Sequence, residues 1–190
     1  MIEDENPLHV NEKWLHEPLS VSCDTCRFEL PINANSLSNM TMQDYLSTHC
    51  VLSARRVHLY RYFFKKYDKN RDSVLSIEEA CNALHGIYSY SETEKCVEIL
   101  TRALEEERKE KNMDSIKVHV DLFEGLAALT ERLIFHHQNP RMHRTGGIAD
   151  RVQSELEQSD FHSIKTRLHG VTISKYLQMI FHWLTNSSIT

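Results

Sequence analysis

Phe63-Phe-Lys-Lys-Tyr67-Asp68-Lys-Asn70-Arg-Asp72-Ser73-Val74-Leu75-Ser76-Ile77-Glu78-Glu79 is the stretch whose reading decides the fold. Oxygen-bearing side chains fall at alternate positions, Asp68, Asn70 and Asp72, and return at Ser76 and Glu79. A chain curling round a hard cation points alternate side chains inward, and Ca²⁺ wants six to eight oxygens in a flexible cage. Aromatic and aliphatic residues on the upstream side (Leu59, Tyr60, Phe63, Phe64, Tyr67) fit one face of a helix entering the loop. Downstream, Ala80, Ala83 and Leu84 continue a helix that leaves it.

This helix, loop and helix resembles the EF-hand calcium-binding superfamily. The resemblance implies Ca²⁺ ligands from Asp68, Asn70 and Asp72 at loop positions one, three and five. It adds the Val74 carbonyl at seven, Ser76 at nine through a water, and both carboxylate oxygens of Glu79 at twelve. It makes Leu75 the residue that bridges to a second loop, and it implies one Ca²⁺ per chain. The departure is Ser73, where the family carries Gly at positive φ. A Cβ in that region costs roughly 1–2 kcal/mol, so Ser73 is expected to weaken binding without abolishing it.

Single hands expose an edge and an apolar face, so partner loops are expected. Asn33 to Asp44 has the right length and starts 35 residues before Asp68, with Met40 at the bridge position. Leu37 takes the place of an oxygen, however, and Pro31 interrupts an entering helix. The segment therefore reads equally as a degenerate hand or as a loop before a helix at Thr41 to Cys50. Met113 to Glu124 reads as a third loop, with Val120 as bridge, Glu124 at position twelve and Met113, Ser115 and Lys117 as a poor cage. The charge run Glu105 to Lys111 reads as a solvated helix extension. Ile173 to Leu184 repeats apolar residues at three- and four-residue steps, an amphipathic helix expected to be packed. Lys175 stands where a ligand Glu would be, which excludes Ca²⁺ there.

The expected fold class is all-α, with EF-hand-like helix–loop–helix pairs in two small lobes and short β-bridges between paired loops. Five glycines and four prolines in 190 residues are too few for the turns of an all-β chain. Residues 1–20 read as a polar extension of disordered character, 21–90 as the N-terminal EF-hand lobe, and 91–190 as the C-terminal helical lobe. The lobes divide near Tyr88 to Ser91, and Pro140 with Gly146 and Gly147 marks a linker over 136–147.

Composition narrows the function. A net charge of −5 argues against nucleic acid as the main partner. No stretch has the apolar length of a membrane span or the pattern of a secretory signal, so a cytoplasmic protein with reduced thiols is expected. Cys23 and Cys26 form a C-x-x-C pair that could grip Zn²⁺, with His49 and Cys50 as the second half-site. On a helix those two neighbours point about 100° apart, and metal-free thiols are the expectation. His136, His137 and His143 read as polar linker histidines. No hydrolase, phosphate-loop or nucleophile motif occurs, so no enzyme is expected. The expected function is a Ca²⁺-responsive regulatory or adaptor subunit. Its apolar groove, lined by Phe63, Phe64, Leu75 and Leu84, would accept a helix or amphipathic segment of a protein partner. The alternatives are a constitutive scaffold subunit with a mostly degenerate EF-hand fold, and a zinc-stabilised adaptor.

Overall fold

Local signals in the sequence start and stop most of the helices in the computed structural model, which describes residues 26–88, 90–138, 161–162 and 164–186. Thr41 opens α1 (Met42–Thr48) with a capping box, its hydroxyl accepting from the Asp44 N–H while Asp44 accepts from the Thr41 N–H. Ser53 caps α2 (Ala54–Tyr67), and Ser76 caps α3 (Ile77–Ile87) with a second capping box to Glu79. The long helices α4 (Tyr90–Glu110) and α5 (Val120–Gln138) follow, then a short α6 (Ile164–Arg167) and α7 (Lys175–Asn186).

The chain is mostly helical, as expected, with an addition. Cys26–Phe28 (β1) and Cys50–Leu52 (β2) form a two-stranded antiparallel sheet in which Phe28 stands opposite Cys50. Three-residue strands are too short to display an alternating pattern, and their pairing closes across the whole of α1. Helix α1 therefore stops at Thr48, and Cys50 lies in a strand where a helix was expected.

The Asn33–Asp44 segment is not a loop between two helices. Asn33 caps a 3₁₀ helix (Ala34–Asn39), Met40 turns back to the Leu37 carbonyl at 3.3 Å and makes no bridge, and β1 stands where an entering helix would be. Leu37 is fully buried, so its apolar character at an expected ligand position serves the core.

The centre of the molecule is α5, which packs on α1, α2 and α4. Gly125 permits the contact with α1, since a Cβ there would meet the Leu46 carbonyl oxygen at 2.1 Å. Buried apolar residues from Cys26 to Leu184 join in one cluster. The core thus shows no break at the expected lobe boundary, where Tyr88 is itself buried. Helix α5 also runs through His136 and His137 to Gln138, so the first residues of the expected linker are helical and His136 is buried. The remainder of the linker, His143, residues 1–20 and Cys23 lie outside the described residues.

The C-terminal helix is packed. Ser174 caps it, its hydroxyl accepting from the Leu177 N–H at 3.1 Å, so it starts two residues later than the apolar repeat suggests. Tyr176, Leu177, Ile180, Phe181, Trp183 and Leu184 are buried. Phe181 meets Tyr45 of α1 edge-on at 5.1 Å, and Lys175 pairs with Glu110 of α4. Each such side chain contributes about 1.5–3 kcal/mol by leaving water, which together is comparable to a typical net stability of about 5–15 kcal/mol. Deleting residues from Ile173 onward is therefore expected to unfold or aggregate the protein. A truncated chain with unchanged melting temperature and solubility would contradict this packing.

Candidate metal centre

Helix α2 ends because Asp68 leaves helical geometry at φ −74° and ψ 78° while its N–H still bonds the Phe64 carbonyl at 2.9 Å. The chain then curls through two residues with positive φ, Arg71 at 59° and Ser73 at 64°. These conformations are costly for side chains bearing a Cβ, and hydrogen bonds inside the loop offset the cost. The Ser73 N–H donates to Asp68 Oδ2 at 3.0 Å, the Asp72 N–H to Asn70 Oδ1 at 3.2 Å, and the Val74 N–H to Asp72 Oδ1 at 2.9 Å. Asn70 Nδ2 also donates to Asp72 Oδ2 at 3.0 Å. Glu79 Oε2 accepts from the N–H and the hydroxyl of Ser76, both at 3.0 Å.

One oxygen is unaccounted for by these bonds. Asp68 Oδ1 is buried and has no hydrogen-bond partner. A buried carboxylate oxygen without a donor is costly, and a cation in the loop would satisfy it. The remaining carboxylates are engaged locally, Asp72 with Asn70 and Val74, and Glu79 with the cap of α3. Accordingly, among the described residues no three His, Cys, Asp or Glu side chains are gathered as a metal-holding group. The donor set fits a hard cation, and Glu79 has to turn from the Ser76 cap to serve as a bidentate ligand.

Leu75 pairs with Val118 in an isolated antiparallel bridge, with N–H to carbonyl distances of 2.9 and 3.0 Å. Both residues are buried. The bridge corrects the register expected for the second loop, because Val118 occupies the place assigned to Val120. The entering helices end at Tyr67 and Glu110, the bridges fall at Leu75 and Val118, and the exiting helices start at Ile77 and Val120, each pair 43 residues apart. The second loop is therefore Lys111 to Leu122. In the first loop's frame, Lys111 stands for Asp68, Met113 for Asn70, Ser115 for Asp72 and Leu122 for Glu79. Lysines and apolar side chains there cannot make an oxygen cage. Leu122 is buried in the core, and Glu124, expected at position twelve, instead accepts from Arg61 Nε at 2.7 Å.

The helices flanking the first loop are tied to α5 by a buried polar network that the sequence reading missed. Arg56 of α2 pairs with Glu131 at 2.5 Å, and the Tyr60 hydroxyl donates to Glu131 Oε2 at 2.6 Å. The Tyr88 hydroxyl, just beyond α3, lies 2.8 Å from the Tyr60 hydroxyl and 2.9 Å from the Ala127 carbonyl oxygen. Burial, with Tyr88 and Glu131 as neighbours, pushes the Tyr60 phenol well above its ordinary value, so it stays a proton donor. Arg56 and Tyr60 lie one helical turn apart on α2, but nothing in spacing alone pairs residue 56 with residue 131. Glu107 was missed for the same reason. Within the charge run expected to be solvated, it is buried and accepts from the Met42 N–H at 3.0 Å with each oxygen, capping α1 from α4.

The apolar surface expected to form a docking groove is largely covered. Phe64 meets Phe123 of α5 edge-on at 5.8 Å, and Leu75 and Leu84 are buried. A groove of about 560 Å³ lies between α3 and α4, lined in part by Cys81 and His85. Burial pushes the Cys81 thiol up and the His85 imidazole down, the reverse of an activated thiolate–imidazolium pair. Cys26 is buried, with Arg132 Nη2 donating to its carbonyl at 3.0 Å.

Ser73→Gly removes the Cβ at φ 64° and, if the loop takes up Ca²⁺, is expected to tighten that binding roughly five- to thirtyfold. The added freedom of glycine in the unfolded and unbound chain offsets part of that. Weaker binding by this variant in a calorimetric titration would contradict the turn's role. No protein-family model matches the chain, and no curated protein or solved structure matches it.

Proposed function

We propose that this protein binds one Ca²⁺ in the Asp68–Glu79 loop and acts as a Ca²⁺-responsive regulatory or adaptor subunit toward a protein partner. Side chains of Asp68, Asn70, Asp72, Ser76 and Glu79 and the carbonyl of Val74 would hold the ion, which supplies a fixed double positive charge linking α2 to α3. The observation that carries the reading is the buried, unpartnered Asp68 Oδ1 in a loop already curled by Arg71 and Ser73 and bridged to a second loop through Leu75.

A second reading, a constitutive scaffold in which the ion only stabilises the fold, is favoured by the Arg56–Glu131–Tyr60–Tyr88 network and by the Phe64–Phe123 contact. Both resist separation of the helices. The two readings part on whether Ca²⁺ uncovers apolar surface. Binding of an environment-sensitive apolar dye is to be measured with and without Ca²⁺. A Ca²⁺-dependent rise in dye fluorescence supports the responsive subunit, whereas unchanged fluorescence with a raised melting temperature favours the scaffold.

A further inference from the structure

The chain as a whole is acidic, yet Ala54 to Arg71 contains seven arginines and lysines and a single acid, Asp68. Asp68 and the adjoining Asp72 offset part of this charge, the Asp68 carboxylate being turned into the loop, where its Oδ2 accepts from Ser73 and its Oδ1 is buried. Arg56 is buried against Glu131, and Arg61 is paired with Glu124. Lys65, Lys66, Lys69 and Arg71 remain exposed over the last turn of α2 and the start of the loop. Tyr62 stands beside them, 42% exposed and edge-on to Phe63 at 5.5 Å.

From this arrangement we infer that the exposed face of α2 and the adjoining loop form a docking surface for an anionic phospholipid membrane. The exposed face of a helix is convex, so it suits a flat surface better than a peptide that needs a cleft. The groove between α3 and α4 lies elsewhere and is lined by Glu94, Glu98 and Glu105. Clustered Lys and Arg side chains are drawn to the negative potential of such a membrane, by about one kcal/mol each near the surface, which is roughly fivefold in affinity. An exposed tyrosine among them is suited to the headgroup layer, where its ring and hydroxyl both find their preferred surroundings. No helix among the described residues is long and apolar enough to cross a membrane, so the association is peripheral.

The test is co-sedimentation of the full chain with phosphatidylcholine vesicles, with and without phosphatidylserine, in the presence of a calcium chelator. The chelator makes the result independent of the calcium reading. The protein should bind only the phosphatidylserine vesicles, and binding should fall as salt rises. Lys65→Glu/Lys69→Glu should weaken binding about 25-fold or more. Lys95→Glu/Lys165→Glu, exposed cations on α4 and α6 rather than on this face, makes the same change in net charge and should leave binding nearly intact. If the first pair folds poorly, Lys65→Gln/Lys69→Gln should still show a loss of at least several-fold. Absence of binding to phosphatidylserine vesicles at low salt overturns the inference, including the case in which polyglutamate or RNA retains the protein instead. Equal losses in the two charge-reversal pairs overturn it as well, since net charge alone would then account for the binding.

Discussion

Glu79→Gln is expected to abolish measurable Ca²⁺ binding while leaving the fold nearly as stable as before. Gln has one neutral carbonyl oxygen in place of two anionic ones, a loss of about 3 kcal/mol or more, or roughly 100-fold in affinity. The same side chain also caps α3 by accepting from the N–H and hydroxyl of Ser76. Gln serves a capping box as well as Glu does, so the cap survives the substitution. The pairing of lost binding with a retained melting temperature separates a ligand role from a structural one. Unchanged affinity in the variant would remove Glu79 from the ligand set. A large drop in stability without added Ca²⁺ would show that its main work is the cap.

Glu131→Gln is the substitution expected to cost most in stability. Glu131 is fully buried and balances the buried Arg56, while its second oxygen accepts from Tyr60. Gln keeps an acceptor for Tyr60 but removes the buried negative charge that faces the Arg56 guanidinium, a loss of about 3–5 kcal/mol. For a chain of this size that corresponds to roughly 6–20 °C in melting temperature. Arg56→Met combined with Glu131→Gln removes both charges and is expected to be more stable than Glu131→Gln alone. A Glu131→Gln protein melting within a degree or two of the parent would show that the pair carries no such balance. This network ties α2 and the end of α3 to α5, so the same variant should also loosen the helices around the loop. Amide exchange in α3 reads that directly.

The parts of the fold legible in the sequence are those set by local rules. The frame of the first loop follows from Asp68, Asn70, Asp72, Ser76 and Glu79 in consecutive register, and the C-terminal helix from its apolar stripe. Positive φ at Ser73 follows from the same register. What escaped depends on contacts distant in sequence. The β1–β2 pair closes over α1 through strands of three residues each, too short to announce themselves. Glu124 looks like a ligand and so sets the expected second loop two residues late. Only the Leu75–Val118 bridge shows that Leu122 stands in that place and that Glu124 belongs to Arg61. Glu107 sits in a run of charges most of which are exposed, and only the packing of α4 on α1 distinguishes it. Tyr88, near which the expected lobes divide, joins the buried network through its hydroxyl, a contact that no local pattern announces.

The proposed calcium site is tested most directly by calorimetric titration of Ca²⁺ into the full chain, previously treated with chelator and dialysed. The account predicts a single site, one ion per chain, supplied by Asp68 to Glu79 alone because Lys111, Met113 and Leu122 deny the second loop a cage. A stoichiometry near two, or no heat of binding at millimolar Ca²⁺, would contradict it.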